Sequence, residues 1–183
     1  GRYSLEKACL DATSLGLGSV ILAGTLKREL FEKAINLQND EVMPAVSPIG
    51  YPAQKRSIRE NLMRKGMKSD QRLEFSTLFF EGDFNHPITK ENSSTDILEA
   101  VQWAPSATNQ QPWRIVVDKD CVHFYEKQSI PTSPLGDIQK VDMGIALCHF
   151  DLERQEKGIQ GSFIKTDHPE SEYEYIITFK KGS

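Results

Sequence analysis

The residues most able to do chemistry lie in one short stretch, residues 103–113, which reads Trp-Ala-Pro-Ser-Ala-Thr-Asn-Gln-Gln-Pro-Trp. Pro105 has no amide proton and clashes with a preceding helical turn, so it predicts the end of a helix. The serine and alanine that follow are small enough to let the backbone approach a flat ligand closely. Asn109 and Gln111 add amide donors and acceptors. Two interpretations stay open on these residues alone: a ligand-binding loop, or a helix end followed by a polar turn.

Other reactive side chains are scattered along the chain. The histidines show no spacing typical of a metal site or a catalytic triad, so we predict neither a bound metal nor a side-chain nucleophile; they are His86, His123, His149 and His168. We expect His149 to be a packed or interface residue. Among the cysteines there is no CxxC pair, and Cys9 and Cys148 fall on apolar helix stripes. Both are expected to be buried hydrophobic residues in a reducing compartment.

Composition argues against several classes of partner. Lysine and arginine number 22 against 26 acidic residues, a net charge of −4, which gives no electrostatic reason to expect nucleic acid or an anionic membrane. No apolar run approaches the roughly 18 to 20 residues that a membrane-spanning helix needs, and nothing resembles a signal peptide. We therefore expect a cytoplasmic protein without nucleic-acid or membrane partners.

The elements around residues 103–113 have clear signals. Ser94 or Thr95 is expected to cap a preceding helix whose apolar residues share one face: Ile97, Leu98, Val101 and Ala104. Two strands should follow, at residues 114–117 and 122–125, joined by a hairpin-like turn. A long helix is predicted over residues 137–157, ended by Gly158, with an apolar row of Ile138, Val141, Ile145, Cys148 and Leu152. A strand at residues 173–179 closes the chain.

The first third of the chain has weaker signals. Ser4 is expected to cap a helix that runs to about Leu15 and is ended by Gly16. Its apolar residues share one predicted face: Leu5, Ala8, Cys9, Ala12 and Leu15. Residues 19–22 form a short apolar run, predicted as a strand or extended segment. Thr25 should cap a second helix to about residue 36, with inward-facing Leu26, Leu30, Phe31 and Ala34. A strand is expected within residues 41–51, and short helices near 58–64 and 72–80. The predicted class is α+β with a layered sheet.

Taken as a whole, residues 103–113 resemble the helix-to-strand loop of nitroreductases, which reads Ala-Pro-Ser-x-x-Asn-x-Gln-Pro-Trp. In that family the loop packs along the isoalloxazine ring of FMN, usually across a dimer interface. The resemblance implies by position that four residues line the flavin: Pro105, Ser106, Ala107 and Asn109. Gln111 is also counted with the cofactor site, where we expect it to hold the loop together.

The first third of the chain adds two further resemblances. The turn Gly-Leu-Gly at residues 16–18 and the run after it are similar to the family's stretch beside the reactive edge of the flavin, which implies that Ala23 and Gly24 lie there. Residues 48–52, followed by Lys55 and Arg56, resemble the family's late strand and basic turn, where the cations meet the FMN phosphate. Simple solvation of Lys55 and Arg56 is an equal alternative.

The order of these motifs is reversed relative to a single nitroreductase domain, which carries its Ala-Pro-Ser loop early. A circular permutation would explain this order, but a subgroup in which two related halves are fused in tandem explains it better. The implied fold is an α+β, nitroreductase-like layered sheet with flanking helices, in which one chain acts as a pseudo-dimer; further oligomerisation stays open. Residues 1–60 would end the first half, 61–92 connect, and 93–183 form the second half. We expect the chain to lack the N-terminal part of such a protein.

The activity implied by the resemblance is hydride transfer from NAD(P)H through FMN to a nitroaromatic, a quinone or a similar small-molecule acceptor. The alternative is a degenerate relative that binds flavin or a partner without turnover. Two departures from the family bear on that choice. Residues 92–102 contain no arginine, whereas the family has a phosphate-binding Arg-Ser-Arg cluster before this loop. Ala23 stands where many members have glutamate or glycine.

Overall fold

The computed structural model describes residues 2–23, 26–53, 65–66, 68–90, 96–133 and 136–182. These ranges contain the following longer helices and strands, in chain order: α1 (Arg2–Ser14), β1 (Gly18–Ser19), α2 (Arg28–Ala34), β2 (Ile49–Gly50), α3 (Phe75–Leu78), β3 (Phe79–Glu81), α4 (Asp96–Trp103), β4 (Trp113–Asp118), β5 (Cys121–Glu126), α5 (Gln139–Glu156), β6 (Gly161–Ile164) and β7 (Glu174–Lys181). One turn of 3₁₀ helix, Ala107–Asn109, lies between α4 and β4. The predicted α+β class is therefore confirmed.

Five strands form the main sheet, in the order β3-β4-β5-β7-β6. The β3 and β4 strands are parallel, and the other neighbours are antiparallel. In the β4–β5 hairpin, Asp118 pairs with Cys121, so the predicted hairpin is confirmed with a two-residue turn. The β6 strand was not predicted, because a four-residue edge strand beginning with glycine gives almost no alternation to detect.

The core lies between the sheet and two helices, α4 and α5. Trp113, Ile115 and Phe124 project into it from the central strands and are fully buried. The predicted apolar faces of both helices are confirmed, since Leu98 and Val101 of α4 are buried together with most of the apolar row of α5. Burying side chains of this size stabilises the fold by about 1.5 to 3 kcal/mol each. This packing fixes the end of α4 relative to the start of β4.

The opposite face of the sheet carries aromatic side chains from the strands and from a loop. Tyr125 of β5 contacts Phe84 and Tyr175, with ring centroids 4.9 and 5.7 Å apart. The Nδ1 atom of His123 lies 2.7 Å from the Thr178 hydroxyl, and burial lowers the pKa of this histidine. Because both faces are covered, β4 and β5 are almost continuously buried.

The α1 helix packs along α5 through polar contacts. The Tyr3 hydroxyl donates to Asp151 Oδ2 at 2.6 Å, and His149 Nε2 lies 2.8 Å from Glu6 Oε1. His149 is thus a packed histidine, as the sequence predicted. Cys9 and Cys148, from these two helices, are both buried, which also agrees with the sequence.

Several predictions for the first third were wrong in detail. Ser4 lies inside α1 rather than capping it, because the helix already includes Arg2. Leu15 is 77% exposed, although Gly16 ends the helix with a left-handed φ of +77° as expected. The α2 helix is shorter than predicted, and its Leu30 is 65% exposed. Helical spacing predicts a shared apolar face, but burial requires an opposing element, and none of the described residues covers this face.

The strand predicted within residues 41–51 is largely absent. Only Ile49–Gly50 forms β2, pairing with β1, and an isolated bridge joins Val46 to Leu22. Pro44 and Pro48 flank the bridge and have no amide proton to donate, so they interrupt the ladder.

Some predictions fall outside the described residues. They concern the cap at Thr25, the cap at Ser94 or Thr95, and the helix near residues 58–64. Within the described part of the chain, every helix is too short or too polar to cross a lipid bilayer.

Candidate functional site

Residues 104–112, here called the site loop, connect the end of α4 to the start of β4. Three of their non-glycine residues adopt left-handed backbone conformations: Thr108 (φ 47°), Asn109 (φ 58°) and Gln111 (φ 50°). Asparagine accepts this region readily, but it is an outlier for a β-branched threonine. Such strain persists only where surrounding contacts over-determine the backbone, and it concentrates at functional sites.

Gln111 is the residue that organises the loop from within. Its side chain is only 2% exposed. Its backbone N–H donates to Ser106 Oγ at 2.9 Å, and its Nε2 donates to the Asn109 carbonyl at 3.2 Å. Its Oε1 accepts the Leu73 N–H at 2.9 Å. The Gln111 side chain therefore closes the loop and attaches it to the segment of residues 68–73.

Asn109 and Arg72 make further contacts between residues 68–73 and the site loop with the end of α4. Asn109 Nδ2 donates to the carbonyls of Lys68 (2.7 Å) and Gln71 (2.9 Å). Arg72 Nη2 donates to the Trp103 carbonyl at 3.1 Å, and its guanidinium carbon lies 5.0 Å from the centre of the Trp103 ring. Residues 68–73 are thus held against the site loop, so the amide donors of Asn109 bind the protein itself.

The accessible part of the loop carries small side chains. Pro105 is exposed, while Ser106 and Ala107 are half-buried. A cavity of about 470 Å³ lies alongside, between residues 66 and 68–73 on one side and residues 108–111 on the other. This volume is within the range of about 300 to 1,000 Å³ found for small-molecule sites. Its lining mixes polar and apolar surface and includes two cations, Lys68 and Arg72, whose charge suits an anionic group.

Asp142 lies beneath the loop, in the first turn of α5. Its Oδ1 accepts the Ala107 N–H at 3.0 Å, and the residue is only 3% exposed. Its Oδ2 is buried and has no hydrogen-bond partner among the described residues. Burial raises the pKa of this carboxyl group to about 7, partly offset by the Ala107 hydrogen bond and reinforced by the negative charges of Glu126 and Asp137.

The other predicted site residues are not brought to the loop by a described contact. The Ala23 carbonyl accepts a hydrogen bond from Arg28 Nη1 at 3.0 Å, and no hydrogen bond among the described residues joins Ala23 to the site loop. Gly24, Lys55 and Arg56 lie outside the described residues. Their grouping around a cofactor stays a prediction.

Comparison with known families gives a direct result. Residues 2–154 match the family model described as "Putative TM nitroreductase". The chain belongs to this nitroreductase family. The resemblance seen in the residues of the site loop is therefore confirmed at the level of the family.

This nitroreductase-family chain is also similar to the crystal structure of a putative nitroreductase from Thermotoga maritima. The two share 19% identity with a TM-score of 0.58, which shows a common fold. The match covers 98% of this chain and 62% of the other, so this chain spans 62% of the Thermotoga protein's length. No curated protein matches the chain.

Two residues of the site were missed by the sequence analysis. Asp142 gave a detectable signal, because it interrupts the buried apolar row of α5 next to Val141, where a solvated carboxylate would be costly. Arg72 gave none, since it lies 31 positions before its partner Trp103 in the sequence. A cationic residue in a stretch of other polar residues looks like solvated surface until the chain is folded.

We expect Asn109→Leu to lower the free energy of unfolding by about 1 to 2 kcal/mol, because two hydrogen bonds to backbone carbonyls are lost. Chemical denaturation would measure the change. Gln110→Leu is the matched control: it lies in the same loop, and among the described residues the one hydrogen bond of its exposed side chain is with Ser129 Oγ, at 3.4 Å. Equal stability of both variants would show that the Asn109 contacts contribute little.

Proposed function

We propose that this nitroreductase-family chain binds FMN against the site loop and passes hydride from NAD(P)H to a small-molecule acceptor such as a nitroaromatic or a quinone. Family membership supports flavin-dependent oxidoreduction in general. The observation that carries the proposal is the accessible surface of small side chains on the site loop, beside a cavity that includes two cations.

The residues present fit a flavin. Pro105, Ser106 and Ala107 have no long side chains, so an aromatic ring system can lie against them. Ser106 Oγ accepts a hydrogen bond from Gln111, and its own hydroxyl proton can be donated outward. Lys68 and Arg72 in the adjoining cavity suit a phosphate group. When bound, FMN supplies the chemistry of hydride transfer.

The contribution of the chain is then to hold and orient the ligand. Gln111 and Asp142 fix the loop from beneath through buried hydrogen bonds, so little order needs to be gained on binding. Positioning of this kind requires no side-chain nucleophile. We therefore assign no residue of this chain to covalent catalysis.

The remaining predicted contacts extend the proposal. Ala23 and Gly24 would face the reactive edge of the flavin, and Lys55 and Arg56 would add charge near the phosphate. The reversed motif order supports two fused halves acting as a pseudo-dimer, with residues 1–60 and 93–183 as the parts of the two halves and 61–92 as the connection. We further propose that the protein works in the cytoplasm.

A spectroscopic experiment tests the function. The purified chain is titrated with FMN, followed by flavin fluorescence and absorbance, and then mixed with NADH or NADPH without oxygen. We expect saturable binding and bleaching of the flavin band by one donor. A protein that ignores FMN would refute the proposal. A protein that binds FMN but resists bleaching would instead support the degenerate, non-catalytic relative.

Ala107→Leu tests the placement of the ligand. A leucine at this half-buried position should obstruct the ring and weaken FMN binding by roughly tenfold, equal to about 1.4 kcal/mol. Ser162→Leu on β6 is the control, since this exposed residue lies on the far edge strand of the sheet. If both variants bind FMN like the unmodified chain, the ligand does not lie against Ala107.

A further inference from the structure

We propose that Asp142 is a positioning residue whose carboxylate fixes the site loop through Ala107 and loosens it on taking up a proton. The inference rests on the proposed function, because it assigns pH regulation to the same flavin site. It deepens that function by identifying the group beneath the loop that controls it.

The contact geometry is the first support. Asp142 is the one side chain among the described residues that reaches the loop backbone from α5, through the 3.0 Å hydrogen bond to the Ala107 N–H. Ala107 starts the 3₁₀ turn, directly before Thr108 and Asn109, whose backbones are left-handed. A hydrogen bond at this point determines whether the left-handed conformations that follow are maintained.

The unpartnered oxygen is the second support. Asp142 Oδ2 is buried and has no hydrogen-bond partner among the described residues. When Asp142 is ionised, only one of its two carboxylate oxygens has a hydrogen-bond donor. When it is protonated on Oδ2, the new O–H group has no acceptor among the described residues. Because neither charge state has all its hydrogen-bond partners, a modest change in pH can convert one state into the other.

The surrounding charges, like burial, raise the pKa of Asp142. Glu126 of β5 and Asp137, which precedes α5, are the charged groups that act on Asp142, and both oppose its ionisation. Lys140, on the same helix, lies 2.6 Å from Glu126 and 2.5 Å from Glu174, so its charge is directed at these two carboxylates. Together with burial, these groups hold the pKa of Asp142 at about 7.

The consequence for the loop follows from hydrogen-bond strength. A hydrogen bond to a carboxylate is roughly twice as strong as one to a neutral acceptor. Above neutral pH the Ala107 N–H is held by an anion, and below it by a neutral acid. We therefore expect the loop to be better ordered, and the flavin to bind more tightly, at the higher pH.

A ligand-free measurement tests the contact itself. In the full chain, the NMR chemical shift of the Ala107 amide proton should titrate with a midpoint near pH 7. The shift should be constant with pH in Asp142→Asn, which has nearly the same shape and no titratable charge. Glu153→Gln is the control on the same helix; it removes a carboxylate that pairs with Lys157, and its Ala107 signal should titrate normally. An Ala107 shift that stays constant from pH 5.5 to 8.5 in the unmodified chain would overturn the inference.

Binding measurements test the functional consequence. We expect the affinity for riboflavin, which has no titrating phosphate, to rise about fivefold between pH 6 and pH 8 in the unmodified chain. It should change little in Asp142→Asn. Identical pH profiles for the two proteins would overturn the inference. If the unmodified chain binds neither riboflavin nor FMN at any pH, the proposed function fails, and the Ala107 titration alone decides the role of Asp142.

Discussion

At pH 8 the Asp142→Asn variant should be more stable than the unmodified chain by about 2 to 4 kcal/mol. The reason is that Asp142 must be ionised at this pH while it is 3% exposed and has one hydrogen bond. Folding raises its pKa from 3.8 to about 7. Each pKa unit corresponds to about 1.4 kcal/mol, which sets the upper end of the range.

The pH dependence has a definite sign. Between pH 4 and pH 7 the folded chain keeps a proton on Asp142 that the unfolded chain releases, so this group makes the protein less stable as the pH rises. Its favourable contribution is complete below pH 4 and is lost as the pH rises through 7. The advantage of the asparagine variant should therefore be less than half as large at pH 5 as at pH 8.

Urea denaturation of both proteins from pH 5 to pH 8 would measure this difference. Glu153→Gln again serves as the control, and its stability relative to the unmodified chain should vary little over the range. An asparagine variant that is less stable at pH 8 would show that Asp142 is ionised and well paired in the folded protein. A gain in stability together with weaker flavin binding at pH 8 is the expected combination, because functional sites commonly sacrifice stability.

Gln111→Ala should lower the free energy of unfolding by about 3 kcal/mol. The substitution removes the side-chain hydrogen bonds of a residue that is 2% exposed, to the Leu73 N–H and to the carbonyl and Oδ1 of Asn109, and it leaves a cavity where the side chain was packed. Without these contacts the left-handed conformations nearby lose one of their main supports. We therefore also expect FMN affinity to fall by more than the roughly tenfold loss proposed for Ala107→Leu.

Two further variants make this result specific. Gln111→Met keeps the volume and removes only the polar atoms, so its smaller loss of stability separates hydrogen bonding from packing. Gln128→Ala removes an amide that donates outside the site loop, to Thr132 at 2.9 Å, and should change neither stability nor affinity appreciably. If Gln111→Ala behaves like Gln128→Ala in denaturation and in FMN titration, the organising role of Gln111 is refuted.

The elements next to the site loop were predictable because their signals are local. Pro105 ends α4 through its missing amide proton, and the β4–β5 hairpin follows from two alternating runs with a short polar turn between them. The family was predictable for a related reason. The loop needs proline, small residues and amides at fixed spacing, so its pattern is preserved within a single stretch of sequence.

The first third was predicted less well, because its signals depend on partners. Leu30 lies on a helix whose spacing predicts an inward face, yet it is exposed. Helical periodicity reports that apolar residues share a side; it does not report what lies opposite. The same limit applies to Ala23, whose predicted place beside a flavin depends on how distant segments assemble.

The sequence by itself determined the family, the α+β class and the position of the site loop, since each is encoded in neighbouring residues. Only the tertiary structure identified what holds that loop. Asp142 reaches Ala107 across 35 positions of sequence, and Arg72 reaches Trp103 across 31. Such contacts leave no pattern of spacing, and the raised pKa of Asp142 arises from burial, which exists only once the chain has folded.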